Sequence, residues 1–304
     1  MSLDNRSQSL YREYLDPKTL AKVEDLELVA RWLVEGFRQG LHRSPYVGFS
    51  VEFSSHREYI PGDDMRHINW KAYARQDRLY IKEFDAETNV SLHLMVDVSG
   101  SMTMATEGVS KLRYSVMLAA GLAHLALSQH DAVGITLYAD QVIDHVRPRS
   151  SPNQLLEILH PLSRIEDHPG CQSPDVLHDV ASLVSGRSLV VLLGDFFFDA
   201  DKLSPCFDHL RQSGSDVMMV HVLDPVEADL SLDGPIRFRD LETGQTVIAQ
   251  AQDLRNRYCE LITDWKAQLE TMCRGHEIDY FPISTTDSLD HGLAHYLAAR
   301  SEMF

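Results

Sequence analysis

The rhythm of apolar and polar positions changes near residue 90 of the chain. From there on, short Val/Leu-rich runs such as SLHLMVDV (91–98) and SLVVLLGDF (188–196) alternate with stretches that carry apolar residues at helical spacing. Near-continuous apolar strands separated by helices are typical of a mostly parallel sheet covered on both faces. The pattern therefore predicts an α/β fold with a mostly parallel central sheet flanked by helices.

The same pattern predicts the individual elements of this larger domain, which we expect to span residues 89–304. Further strands are expected at 132–139, 141–146, 216–224 and 277–284, a hairpin within 236–250, and helices at 110–129, 151–163, 175–185, 201–213, 252–274 and 288–300. One connection, RIEDHPGCQSPD at 164–175, is irregular.

The first part of the chain has a different pattern. Residues 18–39 place apolar side chains at helical spacing and are followed by a glycine, which predicts one helix. The segments GFSVEFSSHREY (48–59) and LYIKEF (79–84) then alternate apolar and polar residues, as strands do. We therefore predict a smaller N-terminal unit over residues 1–88, made of a helix and a β-hairpin-like element.

Charge and composition exclude several classes of protein. The chain has 304 residues and a formal net charge of −17, whereas nucleic acids and anionic lipid surfaces are bound by basic faces. No apolar run approaches the roughly 20 residues that cross a bilayer, and the first residues lack the pattern of a secretory signal. The four cysteines are dispersed and form no C-x-x-C pair. We expect a cytoplasmic protein without membrane insertion or nucleic-acid binding.

Oxygen-bearing side chains follow two of the predicted strands. Asp97, Ser99 and Ser101 come directly after the apolar run of the first strand, and Asp195 follows the run SLVVLLG. Extended residues at i, i+2 and i+4 point the same way, and ligands of parallel sheets bind beyond the carboxyl ends of the strands. Carboxylate and hydroxyl oxygens suit Mg²⁺, or else Mn²⁺ or Ca²⁺. An ordinary helix cap is the alternative explanation of an aspartate with two serines.

So few carboxylates would leave much of the charge of a divalent ion uncompensated. An open coordination position would then attract a carboxylate of a partner, and the ion would join two proteins.

The D-x-S-x-S motif after an apolar strand resembles the metal-ion-dependent adhesion site of von Willebrand factor A domains. Asp97, Ser99 and Ser101 match its first motif, and Asp195 falls where that family has its late aspartate. The resemblance implies a third element, a threonine between these two, where this chain reads PGCQSPDVL. Ser173 is the nearest hydroxyl replacement, with Gln172 as a weaker candidate. The missing threonine leaves a degenerate domain with an empty site as an alternative.

A longer signature in residues 44–87 resembles the bacterial family called domain of unknown function 58. The pattern R-x-Y-x-P-G-D-D-x-R-x-I-[DN]-W-x-x-x-A-R is met by Arg57, Tyr59, Pro61, Gly62, Asp63, Asp64, Arg66, Ile68, Asn69, Trp70, Ala74 and Arg75. The resemblance implies a von Willebrand factor A-like domain and association with a MoxR-type AAA+ ATPase. These residues could form a structural clamp around a tight turn, or a partner surface, since arginine and tryptophan are favoured at binding hot spots.

The residues give less support to the hypothesis that the protein is an enzyme. A phosphoryl-transfer enzyme of the haloacid dehalogenase type needs a second acid two residues after Asp97, and that position holds Ser99. His291 and His295 are four apart in the last predicted helix, but no H-E-x-x-H pattern or neighbouring cysteine supports a zinc site there. We therefore predict a non-enzymatic interaction or adaptor protein that works with the ATPase in assembly or maturation. A metal-dependent phosphate-ester hydrolase is the alternative.

Overall fold

A computed structural model describes residues 16–41, 56–58, 80–82, 91–165, 174–198, 200–239 and 245–302. The chain divides into two compact units. One contains Met1–Arg43 together with Val90–Phe304, and the other contains Ser44–Asn89.

The larger unit is built on a six-stranded sheet. Its strands are β3 (Ser91–Asp97), β4 (Ala132–Tyr138), β5 (Val142–Arg149), β6 (Ser188–Gly194), β7 (Asp216–Leu223) and β10 (Asp279–Ser284). Their spatial order is β10-β7-β6-β3-β4-β5, and all neighbouring pairs are parallel except β4 and β5. The prediction of a mostly parallel α/β sheet is confirmed.

Helices cover both faces of this sheet. They are α1 (Pro17–Leu20), α2 (Leu26–Leu41), α3 (Lys111–Ser128), α4 (Gln154–Ser163), α5 (Pro174–Ser182), α6 (Ser204–Gln212), α7 (Pro225–Asp229), α8 (Ala251–Gly275) and α9 (Asp290–Glu302). Alternate residues of the central strands pack into two separate apolar clusters. Leu94 and Val96 belong to the cluster that includes residues of α3, and Met95 and Leu192 belong to the second cluster. Burial on both faces explains why these strands are apolar almost throughout.

The N-terminal helix differs from the predicted one. Residues 18–39 contain parts of two helices, because α1 already ends at Leu20. The Asp25 carboxylate accepts hydrogen bonds from the backbone N–H groups of Glu27 and Leu28 at 2.9 and 3.2 Å and so begins α2. The apolar face of α2 is buried in the core that contains α3, with Leu33 fully buried. The helix therefore belongs to the larger unit, and the division into compact units differs from the predicted boundary at residue 88.

Two short two-stranded elements complete the described structure. In the smaller unit, β1 (His56–Glu58) pairs antiparallel with β2 (Tyr80–Lys82). In the larger unit, β8 (Pro235–Arg239) pairs antiparallel with β9 (Thr246–Gln250), as the hairpin prediction expects. Among the described helices, none has both the length and the apolar character to cross a bilayer.

Candidate functional site

The two predicted acids lie at the carboxyl ends of the two central strands. Asp97 ends β3 and Asp195 directly follows β6, and these strands are parallel neighbours with Val96 opposite Leu193. From β3 the chain continues to β4 on one side, whereas β6 continues to β7 on the other. The site therefore lies at the point where the connections diverge, which is where open α/β sheets bind ligands.

The loop after β3 gathers the first three predicted residues. The Asp97 carboxylate accepts a hydrogen bond from the backbone N–H of Ser99 at 2.8 Å, and the hydroxyls of Ser99 and Ser101 lie 3.1 Å apart. A short 3₁₀ turn over Gly100–Thr103 follows. Asp97 and Ser99 are buried, whereas Ser101 is half-buried. The three side chains thus form one cluster whose accessible member is Ser101.

Asp97 leans toward the strand that carries Asp195. A Cβ atom added to Gly194 would lie only 3.3 Å from Asp97 Oδ2. Burial raises the pKa of Tyr138 well above its usual value, and the charges of Asp97, Cys206 and Asp195 raise it further, so both carboxylates act on the same hydroxyl. Tyr138 lies opposite Asp97 on β4. The two acids therefore share one environment at the edge of the sheet.

A buried lysine is part of this site. Lys111 Nζ lies 2.7 Å from Asp195 Oδ2 and 2.6 Å from Glu227 Oε1, and the side chains of Lys111 and Asp195 are completely inaccessible to solvent. The ammonium also lies 5.0 Å from the centre of the Phe197 ring. Burial acts to lower the pKa of Lys111, but the two carboxylates raise it by more, so that the net shift is upward. Lys111 is therefore a fixed positive charge.

The short helix α7 holds Glu227 in place. Asp224 and Glu227 form a capping box, in which the Asp224 carboxylate accepts from the backbone N–H of Val226 at 3.0 Å and Glu227 accepts from the backbone N–H of Asp224 at 3.1 Å. The Asp224 carboxylate also accepts hydrogen bonds from the backbone N–H and the hydroxyl of Thr106. The loop between β3 and α3 is thus fastened to the start of α7 by this contact and by Lys111.

The oxygen atoms at the site suit a hard cation. Asp195 Oδ1 is buried and has no hydrogen-bond partner in the described part of the chain, and the Asp97 carboxylate and the two serine hydroxyls are further oxygen donors. Asp97, Asp195, Glu227 and Lys111 together carry a formal charge of −2, and the buried Asp224 beside Glu227 adds one further negative charge. Within the described ranges, no three His, Cys, Asp or Glu side chains group as a metal site. The serine hydroxyls would therefore have to complete the ligand shell.

Other predicted residues stand as follows. Ser173, Gln172 and the signature residues other than Arg57 lie outside the described residues, and Arg57 lies in β1 opposite Ile81. His295 Nε2 donates a hydrogen bond to the Asp279 carboxylate at 2.7 Å, and the ring stacks on Phe281, so this histidine is engaged within the fold.

Sequence reasoning missed Lys111 and Glu227. A charged residue that opens a largely apolar helix, and the D-P-V-E capping-box pattern at 224–227, were the available signals.

The strand order and the antiparallel edge strand define an open, mostly parallel α/β protein. The family described as "Protein of unknown function DUF58" matches residues 55–268, and the chain belongs to this family.

Similar proteins include uncharacterized proteins of Mycobacterium bovis and Mycobacterium tuberculosis. Each is 25% identical over 234 residues, which cover 75% of this chain and 73% of the relative.

Solved structures with a similar arrangement of the chain were also found. An aerotolerance-related membrane protein from Bacteroides fragilis is 16% identical, with 69% of this chain and 98% of that chain covered and a TM-score of 0.46. The conserved hypothetical protein BatB from Bacteroides thetaiotaomicron is 15% identical, with 70% and 99% covered and a TM-score of 0.46. The SpRpn10 VWA domain is 10% identical, with 68% and 94% covered and a TM-score of 0.36.

Proposed function

We propose that this protein is a non-enzymatic interaction protein that binds an acidic group of a partner at the carboxyl ends of its central strands. Asp97, Ser99, Ser101 and Asp195 would hold a divalent cation there, with Ser173 as a further candidate. The observation that carries the proposal is the buried Asp195 Oδ1, which has no hydrogen-bond partner among the described residues. A buried carboxylate oxygen without a partner is costly, and a cation would remove that cost.

The charge of the site supports a divalent ion. The three carboxylates and Lys111 carry a formal charge of −2 and are largely buried. Uncompensated charge is unfavourable in the protein interior. Oxygen-only donors favour Mg²⁺, with Mn²⁺ and Ca²⁺ as substitutes. When bound, the ion would supply an electrophilic centre for a partner carboxylate.

The accessible side of the site is the loop after β3. Ser101 is half-buried, and residues 105–108 of the same loop are exposed. The chain's own role is to present the Ser101 hydroxyl at this surface while Asp97, Ser99 and Asp195 remain buried. A carboxylate of a partner would approach from the side of Ser101.

We expect the partner to be a MoxR-type AAA+ ATPase, with the protein acting as an adaptor in the assembly or maturation of other proteins. The support for this is the family membership, through the association that the sequence resemblance implies. A cytoplasmic location is part of the proposal, and the three described cysteines, Cys206, Cys259 and Cys273, are free thiols. Co-purification from the native host, followed by mass spectrometry, tests the partner; loss of the ATPase from the Asp97→Ala sample is expected.

Calorimetric titration of Mg²⁺ and Mn²⁺ tests the cation site. The wild type should bind one ion, Asp97→Asn should lose binding because a ligand charge is removed, and Asp253→Asn, on the exposed start of α8, should bind as the wild type does. Equal heats for the wild type and Asp97→Asn would refute the site. Hydrolysis of p-nitrophenyl phosphate that disappears in Asp97→Asn would refute the non-enzymatic function and favour the hydrolase.

A further inference from the structure

The buried Lys111 competes for a carboxylate that the proposed cation site also uses. Its ammonium contacts Asp195 Oδ2, whereas the other oxygen of the same carboxylate, Oδ1, is the one without a hydrogen-bond partner in the described structure. One oxygen of this carboxylate is therefore engaged by the lysine, and the other is left for the proposed cation. Any cation held by Oδ1 would have the fixed charge of Lys111 as its neighbour.

The placement of this lysine is electrostatically unusual. Lys111 is the first residue of α3, where the positive end of the helix dipole disfavours a cation, and the first turn of α3 contains no acidic residue. The side chain is also completely buried. Among the described residues, the carboxylates of Asp195, directly after β6, and Glu227, on α7, offset these costs, and the Phe197 ring adds a smaller contribution. Simple helix stability does not explain a cation at this position, which points to a role in the site.

We propose that Lys111 is a built-in counter-ion that lowers the negative charge of the cation site and so weakens the binding of trivalent ions more than that of divalent ions. This inference deepens the proposed function and rests on it, because it concerns the same ligands. Without the lysine, the carboxylates of Asp97, Asp195, Glu227 and the buried Asp224 would carry a formal charge of −4. With Lys111 the value is −3, so a bound ion is attracted less strongly, and the reduction grows with the charge of the ion.

The size of the effect follows from Coulomb's law. An ion bound to the other oxygen of Asp195 would lie roughly 6 Å from Lys111 Nζ. Even with screening as strong as in water, removal of the lysine charge should tighten binding of a divalent ion about tenfold. The interaction energy is proportional to the charge of the ion, so a trivalent ion should gain about thirtyfold. The logarithms of the two changes should stand in a ratio of about 1.5, which a general loosening of the site would not produce.

Glu227 provides the opposite perturbation. Its carboxylate lies 2.6 Å from Lys111 Nζ, and its side chain is 13% exposed. Glu227→Gln removes one negative charge while it retains the size of the side chain, so both ions should bind more weakly, and the trivalent ion should lose more. The two variants therefore shift affinity in opposite directions for one electrostatic reason.

The experiment titrates Mn²⁺ and Tb³⁺ separately into the full chain by calorimetry, with wild type, Lys111→Met and Glu227→Gln. Arg274→Met is the matched control for loss of one positive charge: Arg274 is largely exposed and lies at the end of α8, just before β10, hence near the amino ends of the strands. Circular dichroism checks that each variant is folded. If Lys111→Met does not fold, the two titrations of Glu227→Gln decide the question.

The expected result is tighter binding of both ions to Lys111→Met, with the larger gain for Tb³⁺, weaker binding to Glu227→Gln, and no change in Arg274→Met. Unchanged or weaker binding to folded Lys111→Met, while the wild type binds Mn²⁺, would overturn the role of Lys111 and leave the cation site standing. Binding by Lys111→Met alone would support the role of the lysine and overturn the proposed function of the wild type. Absence of binding in every variant would overturn both.

Discussion

Asp195 is the residue whose replacement tests the buried charge network most directly. Asp195→Asn keeps the size of the side chain but removes one of the two carboxylates that contact Lys111, at 2.7 Å. The lysine side chain is inaccessible to solvent, so water cannot replace the lost partner. Removing one partner of a buried ion pair costs about 3–5 kcal/mol. Because Glu227 remains 2.6 Å from Lys111, we expect the lower end of that range, about 3 kcal/mol.

The assay is equilibrium unfolding in urea at pH 7, with a chelator present so that bound cations do not add to stability. A loss of about 3 kcal/mol should also lower the melting temperature by about 6–10 °C, given the usual shift for large domains. Asp264→Asn, on the exposed surface of α8, is the matched control and should unfold as the wild type does.

A combined variant separates charge from packing. Lys111→Met together with Asp195→Asn and Glu227→Gln leaves none of the three charges, so it should be more stable than Asp195→Asn alone. If the free energy of unfolding of Asp195→Asn lies within about 0.5 kcal/mol of the wild-type value, the reasoning is refuted, because substitutions at exposed positions have effects of that size. Such a result would show that Lys111 does not depend on Asp195 for its burial.

Two further predictions concern the sheet. Gly134→Ala should destabilise the protein by about 1–3 kcal/mol in urea unfolding, because its Cβ would lie 2.6 Å from the backbone oxygen of Val146 on β5; Gly275→Ala, where nothing lies within 4 Å, should not. Burial, with a smaller effect of His145, lowers the pKa of His93 to about 4, so its protonation favours unfolding and stability should fall as the pH drops from about 6.5 toward 4. Protonation of this histidine should lower the free energy of unfolding by about 2 kcal/mol between pH 7 and pH 5, and His93→Asn should not show this loss. An unchanged pH dependence in His93→Asn would contradict the assignment of the loss to His93.

The local pattern of the chain was sufficient to predict most of the fold. Strands that are buried on both faces have to be apolar along their whole length, so SLVVLLG could be recognised without knowledge of its neighbours. The spacing of Asp97, Ser99 and Ser101 likewise placed three oxygens in one loop, because side-chain direction in extended backbone depends only on neighbouring residues. The metal role of these residues is still a prediction.

The tertiary structure decided the features that depend on long-range contacts. Lys111 meets Asp195 and Glu227 across 84 and 116 residues, and only the order of the strands brings their positions together. The apolar face of α2 could have covered either unit, and it packs with α3 because Leu33 fits the space that Gly121 leaves. A hydrophobic stripe indicates that one face of a helix must be buried, but it does not indicate which element covers that face. The charge of the candidate site could therefore not be predicted from the sequence, since an ion pair between distant residues leaves no periodic pattern.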